Sequence, residues 1–413
     1  MAQAAESIYP CSNLVTVLLT RRILTINRGS ATLKAALYES AQQNELLLSL
    51  TVEQVDDSSG RLKIAQPSGA VLLETPVDLA DSVGALDKMF VWLGEHGFLS
   101  GLAAAGHRLV QGGPHHKNPE RISPQFMADI EHLVPLDPDH LPAAIRGIQF
   151  VAGKFPELPQ VACFDTAFHS SLPQHARMYA LPGKLYEEGI VRYGFHGLSY
   201  EYVMQELLTL EKRSADGRVI IAHLGSGASI AAIKAGQSID TSMGFTPLEG
   251  LVMGTRCGDL DAGVLLYLLE QKKLTGKALN RLLNKESGLL GVSGRSGDMR
   301  VLVEKMEEDP RSAEAVSLFC YRIKKYIGAY ATALAGVDML VFTAGIGEHS
   351  PVIRKLICDG LEFLGIRLNP ESNEANADVI SDEKSQVKVR IIKTNEDLMI
   401  ARHVNSTLGW TRP

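Results

Sequence analysis

The feature that most constrains this chain is a short unbroken apolar run that ends in a glycine turn and is answered by a second apolar run. Val219-Ile220-Ile221-Ala222 leads through His223-Leu224 into Gly225-Ser226-Gly227, and Ile230 to Ile233 follows. A run of this length without alternation reads as a buried strand. Glycines on either side of a serine at a strand's end let backbone amides approach an anion closely, because no Cβ stands in the way. Lys234-Ala235-Gly236-Gln237 then reads as a hairpin turn. Downstream, Met253-Gly254-Thr255-Arg256-Cys257-Gly258-Asp259 sets one arginine between glycines. A guanidinium held there reaches a planar or tetrahedral anion with a forked donor set. Phosphate chemistry is the first implication.

The N-terminal part carries a similar unit. Ile23-Leu24-Thr25-Ile26 is a strand candidate, and Gly29-Ser30 and Ala35-Ala36 match Gly225-Ser226 and Ala231-Ala232 at one constant offset. Four matched small residues are compatible with an internal duplication and also with chance. A true duplication would set two related halves face to face across a ligand cleft. Ser30, Thr32 and Lys34 alternate as one face of a strand would, reading either as a solvated face or, beside a glycine turn, as phosphate contacts. Val341-Phe342-Thr343 entering Ala344-Gly345-Ile346-Gly347-Glu348 is a third strand and glycine turn, followed by a helix, which suits a nucleotide. Asp165, after the buried run Val161 to Phe164, reads as a magnesium ligand or as a helix N-cap. His196 has an ordinary structural reading beside a catalytic one, and Glu396-Asp397 one as helix-start acids. Val83, Leu86, Phe90 and Leu93 predict a helix over 81–93 capped by Asp81, and Phe319 to Leu334 predicts a core helix. The proline-rich stretch 134–142 predicts an irregular loop. Gly101 to Gly106 is no P-loop, since His107-Arg108 stands where Lys-Ser or Lys-Thr is required.

Composition narrows the class. A chain of 413 residues is long for one core, so two domains are expected. A net charge of -6 argues against a general nucleic-acid partner. Cys11, Cys163, Cys257, Cys320 and Cys358 show no paired spacing, which suggests reduced thiols in the cytoplasm rather than a disulfide frame or zinc site. Leu14 to Leu19 is too short to span a bilayer, so no membrane association is expected and residues 1–20 read as an extension.

Taken together, Asn27-x-Gly29-Ser30-x-Thr32-x-Lys34, Gly106-His107-Arg108, Phe164-Asp165-Thr166-Ala167-Phe168-His169 and Arg192-Tyr193-Gly194-Phe195-His196-Gly197 resemble the acetate kinase family. So do His223-Leu224-Gly225-x-Gly227, Gly254-Thr255-Arg256-x-Gly258-Asp259, Phe342 to Glu348 and Thr394-Asn395-Glu396. The resemblance implies an α/β fold of two duplicated ribonuclease-H-like, actin-like ATPase domains around a central cleft. It places an acyl-kinase domain at 21–167, completed by a C-terminal helix at 396–413, and a nucleotide-binding domain at 168–395. It implies reversible ATP-dependent phosphorylation of acetate or another short-chain carboxylate by in-line transfer, with Mg2+ (or Mn2+), in a homodimer. Carried over, Arg108, Asp165, His196 and Arg256 are catalytic, and Arg108, Val110, Leu136, Phe195 and Pro247 hold the acyl group. Lys34, His223, Gly225, Gly227, Asp298, Met299, Arg300, Gly345 and Gly347 hold the nucleotide, and Asn27 and Glu396 serve the metal.

Three positions depart from the family: Asp137 replaces a histidine, Arg28 a small residue and His349 an asparagine. An anionic Asp137 about 5 Å from a phosphate would cost roughly 3 kcal/mol at an effective dielectric near 20. Asp137 is therefore expected to point away or pair with a cation while His140 or Arg28 compensates. The departures also leave open a non-catalytic or regulatory nucleotide-binding paralogue.

Overall fold

The computed structural model describes residues 21–28, 32–40, 44–54, 59–78, 83–211 and 217–410. Its first sheet takes β1 (Arg21–Arg28), β2 (Thr32–Ser40), β3 (Glu45–Gln54), β4 (Ser59–Ala65), β5 (Val71–Asp78), β6 (Leu102–Leu109), β7 (Glu120–Arg121) and β8 (Gln160–Phe164). They lie in the order β5-β4-β3-β2-β1-β6-β8-β7. The second sheet takes β9 (Arg218–Leu224), β10 (Ala228–Lys234), β11 (Gln237–Thr241), β12 (Met339–Thr343) and β13 (Lys388–Ile391), in the order β11-β10-β9-β12-β13.

One plan underlies both. In each sheet three antiparallel strands, β3-β2-β1 or β11-β10-β9, hand over to two parallel ones, β6-β8 or β12-β13. Ala35-Ala36 and Ala231-Ala232 occupy the same place in β2 and β10, so the small-residue match marks a structural repeat. Gly29-Ser30 lies outside the described residues. β9, β10 and β12 are buried almost throughout, which is why they read as continuous apolar runs rather than alternating ones. Ala235 and Gly236 both have positive φ, 49° and 76°, as a tight hairpin between β10 and β11 requires.

The parallel strands aim their carboxyl ends at the space between the sheets, the usual ligand position in α/β folds. Helix Glu396–Thr407 leaves the second sheet after β13 and crosses to the first, where Met399, Ile400, Ala401 and Val404 bury against Ile23, Ala104, Val161 and Cys163. Glu396 is thereby carried to the first sheet.

Local expectations are partly adjusted. The first helix runs Gly84–Glu95, and Asp81 lies outside the described residues. Stretch 134–142 is not wholly irregular: Val134–Leu136 forms a 3-10 turn, and Pro142 sits in the first turn of helix Leu141–Lys154, where a missing N–H costs nothing. The last helix ends at Thr407. Among the described residues no helix is long and apolar enough to cross a membrane.

Gly106 on β6 is where the last helix comes closest. A Cβ there would lie 2.4 Å from Cγ2 of Ile400 and 2.7 Å from Cγ2 of Val404. Gly106→Val should therefore push the helix outward, destabilising the fold by about 1–3 kcal/mol, and should weaken activity because Glu396 moves with it. Calorimetry and turnover on the same preparation check both; an unchanged melting midpoint would refute the close packing.

Candidate active site

A cleft of about 540 Å3 opens between the two sheets. From the first sheet, Asn27 at the end of β1 and Arg108 near the end of β6 line it together with Asp165, just past β8. From the second come His223 in β9, the Gly225-Ser226-Gly227 turn, and Ala344-Gly345 after β12. The loop carrying Phe195 and His196 and the one carrying Pro247 and Arg256 close the remaining wall.

Arg108 is the centre of a buried polar chain. Its Nε and Nη2 donate to Asp165 Oδ1 and Oδ2 at 2.9 and 2.6 Å, and its Nη1 donates to Asn27 Oδ1 at 3.0 Å. Asn27 Nδ2 then donates to Glu396 Oε2 at 2.9 Å. Burial alone would lower the Arg108 pKa, but Asp165 and Glu396 hold it above its ordinary range. Against burial, Arg108, His223, Asn27 and Lys34 hold the Glu396 carboxyl below its ordinary range. Burial and the neighbouring Glu396 push Asp397 up to about 6, and its Oδ1 accepts from Thr25 Oγ1 at 3.1 Å. Burial lowers the Arg256 pKa, Asp137 acts the other way, and Arg108 adds to the lowering.

His196 has a left-handed backbone, φ 59° and ψ 25°, at the start of helix Gly197–Leu210. Its ring stacks on His223 with centroids 4.2 Å apart and planes inclined by 20°. Burial first, then His223, Arg108 and Arg256, hold it well below 6.5, so the ring is neutral near pH 7. Nδ1 lies 2.8 Å from Ser229 Oγ, and His223 Nδ1 lies 2.8 Å from Ser199 Oγ.

This convergence of two guanidiniums and a neutral imidazole can be compared with known proteins. The acetokinase family model matches residues 22–402. An acetate kinase of Rhodopseudomonas palustris is 45% identical over 395 residues, covering 92% of this chain and 97% of that one. The crystal structure of Porphyromonas gingivalis acetate kinase superposes with a TM-score of 0.84 at 38% identity, covering 94% of this chain and all of that one. A propionate kinase from Francisella tularensis superposes at 0.87 with 35% identity, covering 93% of this chain and 98% of that one. The chain belongs to the acetokinase family.

Most residues expected from the family's motifs meet in one place. Asn27, Lys34, Arg108, Val110, Asp165, Phe195, His196, His223, Gly225, Gly227, Pro247, Arg256, Gly345 and Glu396 all line the cleft. Others do not. Leu136 is half-buried outside the wall, and His140 lines it instead. Met299 is packed in the core, Asp298 caps its helix through the Arg300 amide, and exposed Arg300 clamps Asp298 at 2.6 Å. Gly347 packs beneath Phe342 rather than on the cleft. Asp137 pairs with His140, Oδ1 to Nδ1 at 2.7 Å, while its buried Oδ2 has no hydrogen-bond partner among the described residues. Arg28 instead feels burial and Arg146, and His349 is two-thirds exposed beside Glu348.

Sequence reasoning passed over Glu348 as a site residue. Its Oε1 accepts from the amides of Ala344 at 2.8 Å and Thr394 at 3.1 Å, tying the turn after β12 to the segment that leads to Glu396. Its place in the Gly345-Ile346-Gly347-Glu348 motif was the available signal.

The buried rings predict an acid sensitivity. Burial pushes His107, His169 and His223 each down to about 4. Unfolded, each charges near 6.5, so the unfolded chain binds more protons between about pH 4 and 6.5, and stability falls as pH is lowered through that window. Each ring costs about 1.4 kcal/mol at pH 5.5 relative to pH 8. Asp397, raised in the fold, works the opposite way over about pH 4 to 6 but is one group against several. The melting midpoint should thus drop by several degrees from pH 7.5 to 5.5; an unchanged midpoint would mean that the folded rings are charged.

Proposed function

We propose that this chain phosphorylates acetate with ATP, reversibly, to give acetyl phosphate and ADP. The observation that carries the reading is the meeting of Arg108, Arg256 and His196 in one cleft, on a chain of the acetokinase family. An acetate oxygen attacks the terminal phosphorus, an O–P bond forms, and the bridging bond to ADP breaks with its electron pair passing to ADP. The nucleophile arrives as a carboxylate, so no base is needed, and catalysis is positioning plus neutralisation of phosphoryl charge.

Of the five N–H groups of Arg108, two go to Asp165 and one to Asn27, which leaves two for substrate oxygens. Asp165 thus acts by holding Arg108. Arg256, fixed by the Pro247 carbonyl at 3.1 Å, meets the phosphoryl group from the opposite wall, and His196 donates to its equatorial oxygens. Val110, Phe195 and Pro247 enclose the methyl group. Lys34, His223 and the Gly225-Ser226-Gly227 amides take the phosphates, with Gly345 towards the nucleoside. Glu396, held ionised and offering hard oxygen donors beside Asn27, fits magnesium, which accepts one or two carboxylates when phosphates supply the rest. Bound there with the nucleotide, magnesium would neutralise phosphate charge. Among the described residues no three His, Cys, Asp or Glu side chains form a set that could hold an ion, consistent with an ion delivered on the nucleotide. Neither Asp137, engaged by His140, nor exposed His349 removes a group from this machinery.

With ATP, Mg2+, acetate and hydroxylamine the chain should yield acetyl hydroxamate, and Arg256→Ala should lower kcat by about 10²–10³. Binding of ATP without any acyl phosphate would sink the reading. Propionate should be separated from acetate by only about 1–3 kcal/mol in kcat/KM, the worth of one methylene.

The functional unit is proposed to be a cytoplasmic homodimer. Leu260, Val264, Leu266, Tyr267 and Leu269 on and before helix Ala262–Glu270 are 36 to 56% exposed, and none of that helix is buried. Contiguous apolar patches of this kind mark partner surfaces. Light scattering should find two copies for the native chain and one for Leu266→Glu; a native monomer refutes the proposal.

A further inference from the structure

Two hydroxyl groups behind the cleft decide which nitrogen of His196 carries its proton. Tyr200 on helix Gly197–Leu210 and Ser229 on β10 are fully buried. Tyr200 OH lies 2.5 Å from Ser229 Oγ, which lies 2.8 Å from His196 Nδ1. Burial raises the Tyr200 pKa, so the phenol keeps its proton. Ser229 Oγ is its one hydrogen-bond partner among the described residues. The phenol must therefore donate to Ser229, and the serine proton is left to be donated to Nδ1. The opposite direction, from Nδ1–H through serine to the phenol oxygen, strands a buried O–H without an acceptor, which folded proteins avoid.

A neutral ring that accepts at Nδ1 carries its proton on Nε2. That nitrogen faces the cleft: a Cβ built on Gly227 would lie 3.4 Å from it and 3.8 Å from Arg256 Nη1. We propose that Tyr200 and Ser229 are positioning residues that fix His196 as the Nε2–H tautomer, turning a neutral imidazole into a hydrogen-bond donor to the phosphoryl group in transfer. The catalytic half rests on the acetate-phosphorylating reading; the tautomer does not.

The test uses the full-length chain labelled with 15N-histidine at pH 7.5, the His196 signals being assigned by their loss in His196→Asn. An unprotonated Nδ1 and a protonated Nε2 are expected; a protonated Nδ1 overturns the inference. Ser229→Ala should mix the tautomers and lower kcat by about 10- to 100-fold, less than the 10²–10³ of a deleted donor, with KM for both substrates within about twofold. Ser229→Thr, which restores the hydroxyl, should recover most of kcat. Tyr200→Phe should act like Ser229→Ala but more weakly, and serves if the alanine variant does not fold. A folded Ser229→Ala with full kcat overturns the catalytic half. A native chain with the Nε2–H signature but no acyl phosphate overturns the proposed activity and leaves the tautomer standing.

Discussion

The ion pair between Arg108 and Asp165 is the constraint on which the site depends. Its side chains are 12% and 1% exposed, and removing one partner of such a buried pair typically costs about 3–5 kcal/mol. Through it the ends of β6 and β8 are fixed to each other. Through Asn27 the same guanidinium reaches β1, and through Glu396 the helix that returns from the second sheet. Asn27 and Glu396, 369 positions apart, are thus joined by one hydrogen bond, with Arg108 on the other side of Asn27.

The cleft separates charged groups from neutral ones. Arg108 and Arg256 each oppose protonation of His196, and two stacked imidazoles 4.2 Å apart would repel if both were charged. On the proposed reading the rings serve as oriented N–H dipoles. A fixed dipole stabilises charge where it develops and needs no reorganisation during the reaction. A third cation beside the arginines would instead tighten ground-state anions and product as much as the transition state, which gains nothing in turnover.

What the sequence made legible was the set of groups that sit in short motifs: Arg108 and His223 near strand ends, His196 and Arg256 in glycine-flanked loops, and the glycine turn between β9 and β10. Each is placed by local structure, and the repeated sheet plan explains why the motifs come in two related sets. Less legible were pairings set by tertiary approach. The charge of Asp137 called for a partner and for His140 or Arg28 to compensate, but not that His140, one turn on, would both pair with it and face the cleft. The Asn27–Glu396 bond depends on a helix crossing between sheets. Met299, beside a polar motif, packs into the core instead, and Leu136 is left half-buried off the cleft wall, because proximity in sequence does not aim an apolar side chain.

The carboxylates complete the chemical logic. Water in the cleft is a rival nucleophile to acetate, but unlike acetate it must lose a proton to attack well. The four acidic residues lining the cleft are all engaged: Asp165 by Arg108, Glu348 by two backbone amides, Glu396 by Asn27 and Asp397 by Thr25. An oxygen that already accepts from a fixed donor is a poor base for water, because taking the proton would break that bond; both oxygens of Asp165 are held in this way, and one oxygen each of Glu348, Glu396 and Asp397. Acetate needs no such help. The bonds that position Arg108 therefore also take Asp165 out of use as a base for water, so part of the preference for a carboxylate nucleophile follows from the interactions that build the site.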